Sequence, residues 1–328
     1  MNGVKEAEAE EYHSKDFEWE TLKQEIEDDP SLRYHLLPFH FPQQETTTAT
    51  TATRQPESIR AWQRFHIQHS SGKFFKERRY LLKEFPELVS CGEFCRVLEV
   101  GCGNGSTALP ILRGNKTIIL YACDCSNETL ERAKEFVAAS NIVSLEHRFH
   151  PFYCDFATFG FPKWLSCGSC REKFAQNRQT CFSDVKEHGE THVNDLCSME
   201  ESTCCLGGVD FVTLIFTLSA VPLERMPGAI KECFSVLKPG GMLLFRDYGL
   251  YDMTMLRFEP DQRVGFREYM RSDGTYSYFF CLDTVRSLFV GAGFIEVEVE
   301  YCCVKSVNRR NGKSMRRVWV HGKFQKPI

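Results

Sequence analysis

Short apolar runs that stop at glycine or at a turn alternate along the chain with longer segments whose apolar residues recur every third or fourth position. This is the pattern of buried strands exchanging with amphipathic helices. Arg96-Val97-Leu98-Glu99-Val100 predicts a first strand and Thr117-Ile118-Ile119-Leu120-Tyr121-Ala122 a second, with a helix from Ser106 to Arg113 between them. A polar cap opens a helix over Asn127 to Ser140, and strands follow near Phe152 to Cys154 and at Asp210-Phe211-Val212-Thr213-Leu214-Ile215. A helix from about Pro222 to Leu237 ends at Lys238-Pro239-Gly240-Gly241, where proline cannot continue it, and the strand Met242-Leu243-Leu244-Phe245 comes next. After a helix near Leu282 to Val290, strands at Ile295 to Tyr301 and Val318 to Phe324 follow in succession, joined by a polar loop containing Asn311-Gly312. The seven runs predict an α/β fold, a doubly wound, mostly parallel seven-stranded sheet with a C-terminal antiparallel hairpin. Ligands of such sheets bind at the carboxyl ends of the strands.

Composition divides the chain unevenly. Residues 1–58 are expected to be a disordered acidic and Thr-rich tail, since Gln44-Glu45-Thr46-Thr47-Thr48-Ala49-Thr50-Thr51 has nothing to bury. Residues 59–90 form a basic and aromatic segment, and 91–328 the main domain, with a cysteine-rich insertion at about 161–208. The net charge of -4 hides a basic end: Lys305 to Ile328 holds eight Lys and Arg and no acid. Sixteen cysteines beside a polar, acidic start without an apolar signal core predict reduced thiols in a cytoplasmic protein, with the nucleus as the alternative. No apolar run approaches the roughly 18 residues of a membrane span, so no membrane partner is expected.

The chemistry begins at Val97-Leu98-Glu99-Val100-Gly101-Cys102-Gly103-Asn104-Gly105, where an acid and three alternating glycines close the first strand and open the first helix. Glycines let backbone approach a ligand, and the helix start offers free N–H groups. A dinucleotide site would place glycine where Ser106 stands, so the spacing favours S-adenosyl-L-methionine. Asp124, ending the second strand, is positioned to accept from both ribose hydroxyls. Asp155 is positioned for an adenine amino group, with Phe156 and Ile215 on the two faces of the ring.

Several strings outside the common fold resemble the methyltransferase-like family of tRNA 3-methylcytidine methyltransferases, class I enzymes with a Rossmann-like sheet. They are Phe74-Phe75-Lys76-Glu77-Arg78-Arg79-Tyr80, Leu214 to Val221, Leu244 to Asp252, Arg271 to Phe280 and Arg317-Val318-Trp319-Val320, so the similarity runs from about Trp62 to the C-terminus. The resemblance implies methylation of N3 of cytidine at position 32 of a tRNA anticodon loop. It also puts Trp62, Gly101, Asp124, Asp155, Phe156 and Ile215 at the cofactor, where Glu99, Gly103 and His66 are expected as well. The chain departs from the family pattern at Glu77, Arg79 and Tyr80, and at His66, where the family carries tyrosine. A helper protein such as an aminoacyl-tRNA synthetase is a further expected partner.

Cytosine already carries a lone pair on N3, so positioning should outweigh base catalysis. The methylated base is cationic, and Asp247, next to Arg246, is the candidate carboxylate to face it; alternatively Arg246 and Asp247 form a structural ion pair. Phe74, Phe75, Lys76, Arg78, Arg79 and Tyr80 combine charge with stacking rings and are expected to bind RNA, extended by Arg309, Arg310 and Arg316. The alternative is that the rings are core anchors. Two other functions stay open, a small-molecule methyltransferase and a non-catalytic RNA-binding relative. In the insertion, Cys167-Gly168-Ser169-Cys170 has the spacing of half a zinc site, but no second such pair follows, and no metal is expected.

Overall fold

The computed structural model describes residues 15–39, 61, 62, 64, 65, 67, 77–168, 204–307, 312 and 314–328. Its centre is a sheet of order β3-β2-β1-β4-β5-β10-β9. The first five strands are β1 (Arg96–Val100), β2 (Ile119–Asp124), β3 (Phe149–Tyr153), β4 (Val209–Ile215) and β5 (Leu237–Tyr248), paired in parallel. The expected hairpin is β9 (Ile295–Val307) and β10 (Ser314–Gln325); β10 inserts antiparallel between β5 and β9, so β9 is the edge.

Strand alternation sends successive side chains to opposite faces, and each face has its own core. Leu98, Val100, Tyr121 and Cys123 pack on one side with helices α8 (Met226–Val236) and α9 (Leu282–Gly291). Val97, Leu120 and Ala122 pack on the other side with α2 (Leu81–Glu84), α3 (Glu87–Ser90), α4 (Ala108–Gly114) and α5 (Asn127–Ala138). The short helices α6 (Leu145–Arg148) and α7 (Phe156–Phe159) bracket β3. Among the described residues, no helix is long and apolar enough to cross a membrane.

Two parts differ from expectation. The reading of residues 1–58 as a disordered tail is corrected for 15–39: α1 (Trp19–Asp28) and a 3-10 helix, Pro30–His35, pack on the body, with Leu22 and Ile26 fully buried. Trp19, Leu22 and Ile26 form one helical stripe; the Nε1 of Trp19 donates to the Leu250 carbonyl at 3.1 Å, and its ring stacks on Tyr301 at 4.7 Å. The acids among and beside these positions, Glu20, Glu25 and Glu27, disguise the stripe as a solvated tail. The second difference is an additional antiparallel sheet of three-residue strands, β6 (Arg263–Gly265), β7 (Glu268–Met270) and β8 (Tyr276–Tyr278). Strands this short carry no legible alternation.

Candidate active site

Strand register brings the site together. Val100 pairs with both Cys123 and Leu214, so Gly101, Asp124 and Ile215 emerge side by side at the carboxyl end of the sheet. Tyr153 pairs with Asp124, and Asp155 follows it two residues on. Gly101 has φ +68°, and a Cβ there would lie 2.5 Å from Thr217 Cγ2, so both conformation and space demand glycine. Asp124 fastens the glycine loop: its Oδ2 accepts from the Gly103 N–H and its Oδ1 from the Ser126 N–H, each at 3.0 Å. Burial pushes the Asp124 carboxyl up to about 6, against the pull of those amides. Glu99 lies beneath the loop, and burial raises it to about 8 despite the neighbouring Arg78 and a bond to Thr107.

These groups open on a cavity of about 210 Å³ that Trp62, Gly101, Gly103, Asp124, Asp155, Phe156 and Ile215 all line, as does Arg78. The Asp155 carboxylate caps α7 through the Thr158 N–H at 3.2 Å. Phe216, in the left-handed region at φ +56°, turns the chain from β4 along the cavity wall, and its N–H donates to the Arg246 carbonyl at 2.7 Å. Glu268 and Tyr276 of the three-stranded sheet also line the cavity. Glu99 is not among the residues that line the cavity; it is fully buried and bonded to Thr107.

Other expected site residues are redistributed. Arg78 is not part of a free RNA surface: its guanidinium donates to Thr107 Oγ1 at 2.6 Å, lies 5.5 Å from the Phe216 ring centre and lines the cavity. Tyr80 is turned inward, under the Arg246 guanidinium at 4.9 Å. Arg79 is exposed, with Glu77 3.2 Å away. Arg316 meets Glu25 at 2.5 Å and holds α1 to the body. His66, Phe74, Phe75, Lys76, Arg309 and Arg310 lie outside the described residues.

The expectation that Asp247 faces the substrate is corrected by its surroundings. The side chain is fully buried; Oδ2 accepts from the Ser219 N–H at 2.9 Å and Oδ1 from the Tyr248 N–H at 2.8 Å. It therefore pins the turn Leu218–Ala220, whose neighbours Thr217 and Val221 line the cavity. Arg246 is equally buried, 2.5 Å from the Glu84 carboxylate, with its guanidinium 4.3 Å from the Trp319 ring centre. Glu84 also meets His321 Nδ1 at 3.0 Å. Burial would raise the Glu84 carboxyl, but Arg246 and His321 outweigh it and hold it below the usual carboxylate range. Composition missed Phe216, Thr217, Glu268 and Tyr276 as site residues, although the strings Leu214 to Val221 and Arg271 to Phe280 contain three of them.

Comparison with known proteins agrees with this architecture. The methyltransferase-domain family matches residues 49–299. The human tRNA N(3)-cytidine methyltransferase METTL6 is 35% identical over 277 residues, 83% of this chain and 82% of that protein. The Drosophila melanogaster tRNA N(3)-methylcytidine methyltransferase Mettl2 is 30% identical over 282 residues, 84% of this chain and 73% of that protein. A solved Burkholderia thailandensis 1,6-didemethyltoxoflavin-N1-methyltransferase shares the fold, with a TM-score of 0.51 at 11% identity, covering 89% of this chain and 99% of that one. The chain belongs to the methyltransferase-domain family and, within it, to the tRNA N(3)-cytidine methyltransferases.

Proposed function

We propose that this protein transfers the methyl group of S-adenosyl-L-methionine to N3 of a cytidine in tRNA, at position 32 of the anticodon loop. The observation that carries the reading is one cavity with two unlike linings. The first is the carboxylate-fastened glycine loop, and the second is Glu268 and Tyr276 of the three-stranded sheet β6 to β8.

The first lining fits an adenosyl ligand. Gly101 has no Cβ where backbone must come close, Asp124 offers a buried acceptor, and Phe156 and Ile215 supply apolar walls with Asp155 beside them. When bound, S-adenosyl-L-methionine supplies an electrophilic methyl group. The chain's own contribution is to hold the target nitrogen in line and to keep water out, because neutral cytosine needs no deprotonation at N3. Asp247 does not line the cavity, and the carboxylate assigned to face a base that becomes cationic is Glu268, which lines it from β7. Asp247 then acts as a positioning residue for the turn after β4. Arg79, exposed beside Glu77, is assigned to phosphate contact.

The test is methyl transfer from labelled S-adenosyl-L-methionine to unmodified tRNA, followed by nucleoside mass spectrometry, with a Gly101→Ala/Asp124→Ala double variant as control. New 3-methylcytidine that vanishes in the control is expected. Cofactor binding without any tRNA product, in cell extract as well as in purified form, would redirect the assignment to a small-molecule acceptor.

A further inference from the structure

Three cysteines converge at the neck of the segment between α7 and β4, away from the cavity. Two backbone bonds tie the outgoing and returning chain there: the Leu206 N–H donates to the Trp164 carbonyl at 2.8 Å and the Gly208 N–H to the Leu165 carbonyl at 2.9 Å. This zipper sets Cys167 against Cys204 and Cys205, and the three sulfurs all lie within 4.8 Å of one another. Cys167 and Cys204, 37 positions apart in sequence, have their sulfurs 3.3 Å apart. That distance is far beyond the S–S bond of about 2.05 Å. Two sulfurs on a tetrahedral zinc ion, each about 2.3 Å from it, stand about 3.8 Å apart, within the spread seen here. The Gly207 N–H donates to the Cys205 sulfur at 3.3 Å, which fixes the direction of that side chain at the neck.

We propose that Cys167, Cys204 and Cys205 form a thiolate site for a soft divalent cation, zinc foremost, that clips the neck of the insertion. Soft sulfur donors select such a cation over magnesium or calcium. On binding, each thiol gives up its proton to solvent and each sulfur donates a lone pair to the metal, so no oxidant or reductant takes part. None of the three cysteines lines the cavity. The clip is structural: it ties the chain that follows α7, which carries Phe156, to the chain that leads into β4, which carries Ile215. The inference is independent of the substrate assigned above.

The experiment uses the full chain, purified under a phosphine reductant and assayed for metal by mass spectrometry. About one zinc per chain is expected in the wild type, falling to background in Cys167→Ser and in Cys204→Ser/Cys205→Ser but not in Cys281→Ser, which alters a distant thiol. Each variant is first shown to bind S-adenosylhomocysteine, so that a misfolded chain is not mistaken for an empty site. Cobalt substituted for zinc should give a thiolate charge-transfer band whose intensity counts the sulfur donors. Chelation should lower the melting temperature of the wild type, reversibly on adding zinc, and leave that of Cys167→Ser unchanged. Wild-type protein that takes up no zinc, with thiols equally reactive to Ellman's reagent with and without added metal, would overturn the proposal. So would a Cys167–Cys204 disulfide that persists in the reduced preparation.

Discussion

Gly101→Ala tests whether the close approach of β1 to the turn after β4 builds the cofactor end of the cavity. Alanine in the left-handed region costs about 1–2 kcal/mol. The new methyl would also meet Thr217 Cγ2 at 2.5 Å and Oγ1 at 2.7 Å, so Thr217 must rotate. Rotation breaks the bond from Thr217 Oγ1 to the Val100 carbonyl, 2.9 Å long, worth about 0.5–1.5 kcal/mol. The sum is about 1.5–3.5 kcal/mol, divided between folding stability and cofactor affinity. Thermal unfolding and calorimetric titration with S-adenosylhomocysteine measure the two parts. Thr217→Ala removes both of the closest atoms, so Gly101→Ala/Thr217→Ala should recover the steric portion and leave the backbone strain. The double-mutant cycle then shows a favourable coupling of about 1 kcal/mol or more. Additive losses, with coupling within about 0.5 kcal/mol, would refute the reasoning: glycine would be required for its φ alone.

Four further outcomes follow from the same geometry. Arg78→Ala should weaken S-adenosylhomocysteine binding with little change in tRNA affinity, whereas Arg79→Ala should lower tRNA affinity and reduce the salt slope by about one, both readable in titrations at several ionic strengths. Glu268→Gln should reduce kcat for tRNA methylation by about tenfold or more while leaving cofactor affinity intact; unchanged turnover would remove Glu268 from the reaction. Because the folded-state carboxyls of Asp124 and Glu99 are raised to about 6 and about 8, the native state binds more protons than the unfolded chain in that range. Their contribution to stability is therefore present at low pH and lost as pH rises through about 6 and about 8; a Glu99→Gln variant should show a flatter decline of melting temperature toward pH 8. Arg246→Met should cost about 3–5 kcal/mol in chemical denaturation, since it strands the buried Glu84 carboxylate, and Arg246→Met/Glu84→Gln should recover part of it.

Most of the sheet was legible because its strands are apolar on both faces and its helices carry clear stripes. The glycine loop, Asp124 and Asp155 were legible because each stands at or just past the carboxyl end of a strand, where register aligns them. What escaped notice did so for physical reasons. In α1, Trp19, Leu22 and Ile26 are separated by acids, and composition outweighs a stripe of three. Strands β6 to β8 are too short for alternation, so Tyr276 could be found only through the string Arg271 to Phe280, and Glu268, outside that string, left no signal. Asp247 was read as substrate-facing because it stands at a strand end, yet two backbone amides occupy its oxygens, and such bonds leave no trace in a sequence.

The segment from Arg78 to Phe85 shows how one basic and aromatic string serves several layers at once. Arg78 turns in to the cavity, Arg79 turns out to solvent, Tyr80 lies under Arg246, and Glu84 joins Arg246 of β5 to His321 of β10. Residue type alone cannot separate these fates, because a guanidinium suits phosphate, carboxylate and aromatic partners alike. The partners that decide the fates of Tyr80 and Glu84 arrive from strands more than a hundred residues away. A buried pair whose loss is costly but whose net contribution is small specifies geometry more than it adds stability. Here the Glu84–Arg246 pair locks α2 to β5, one residue before Asp247 pins the cavity turn. The polar core of this face is thus a positioning device: it fixes where the wall of the cavity stands relative to the glycine loop, so methyl transfer should be more sensitive to these buried charges than the fold is.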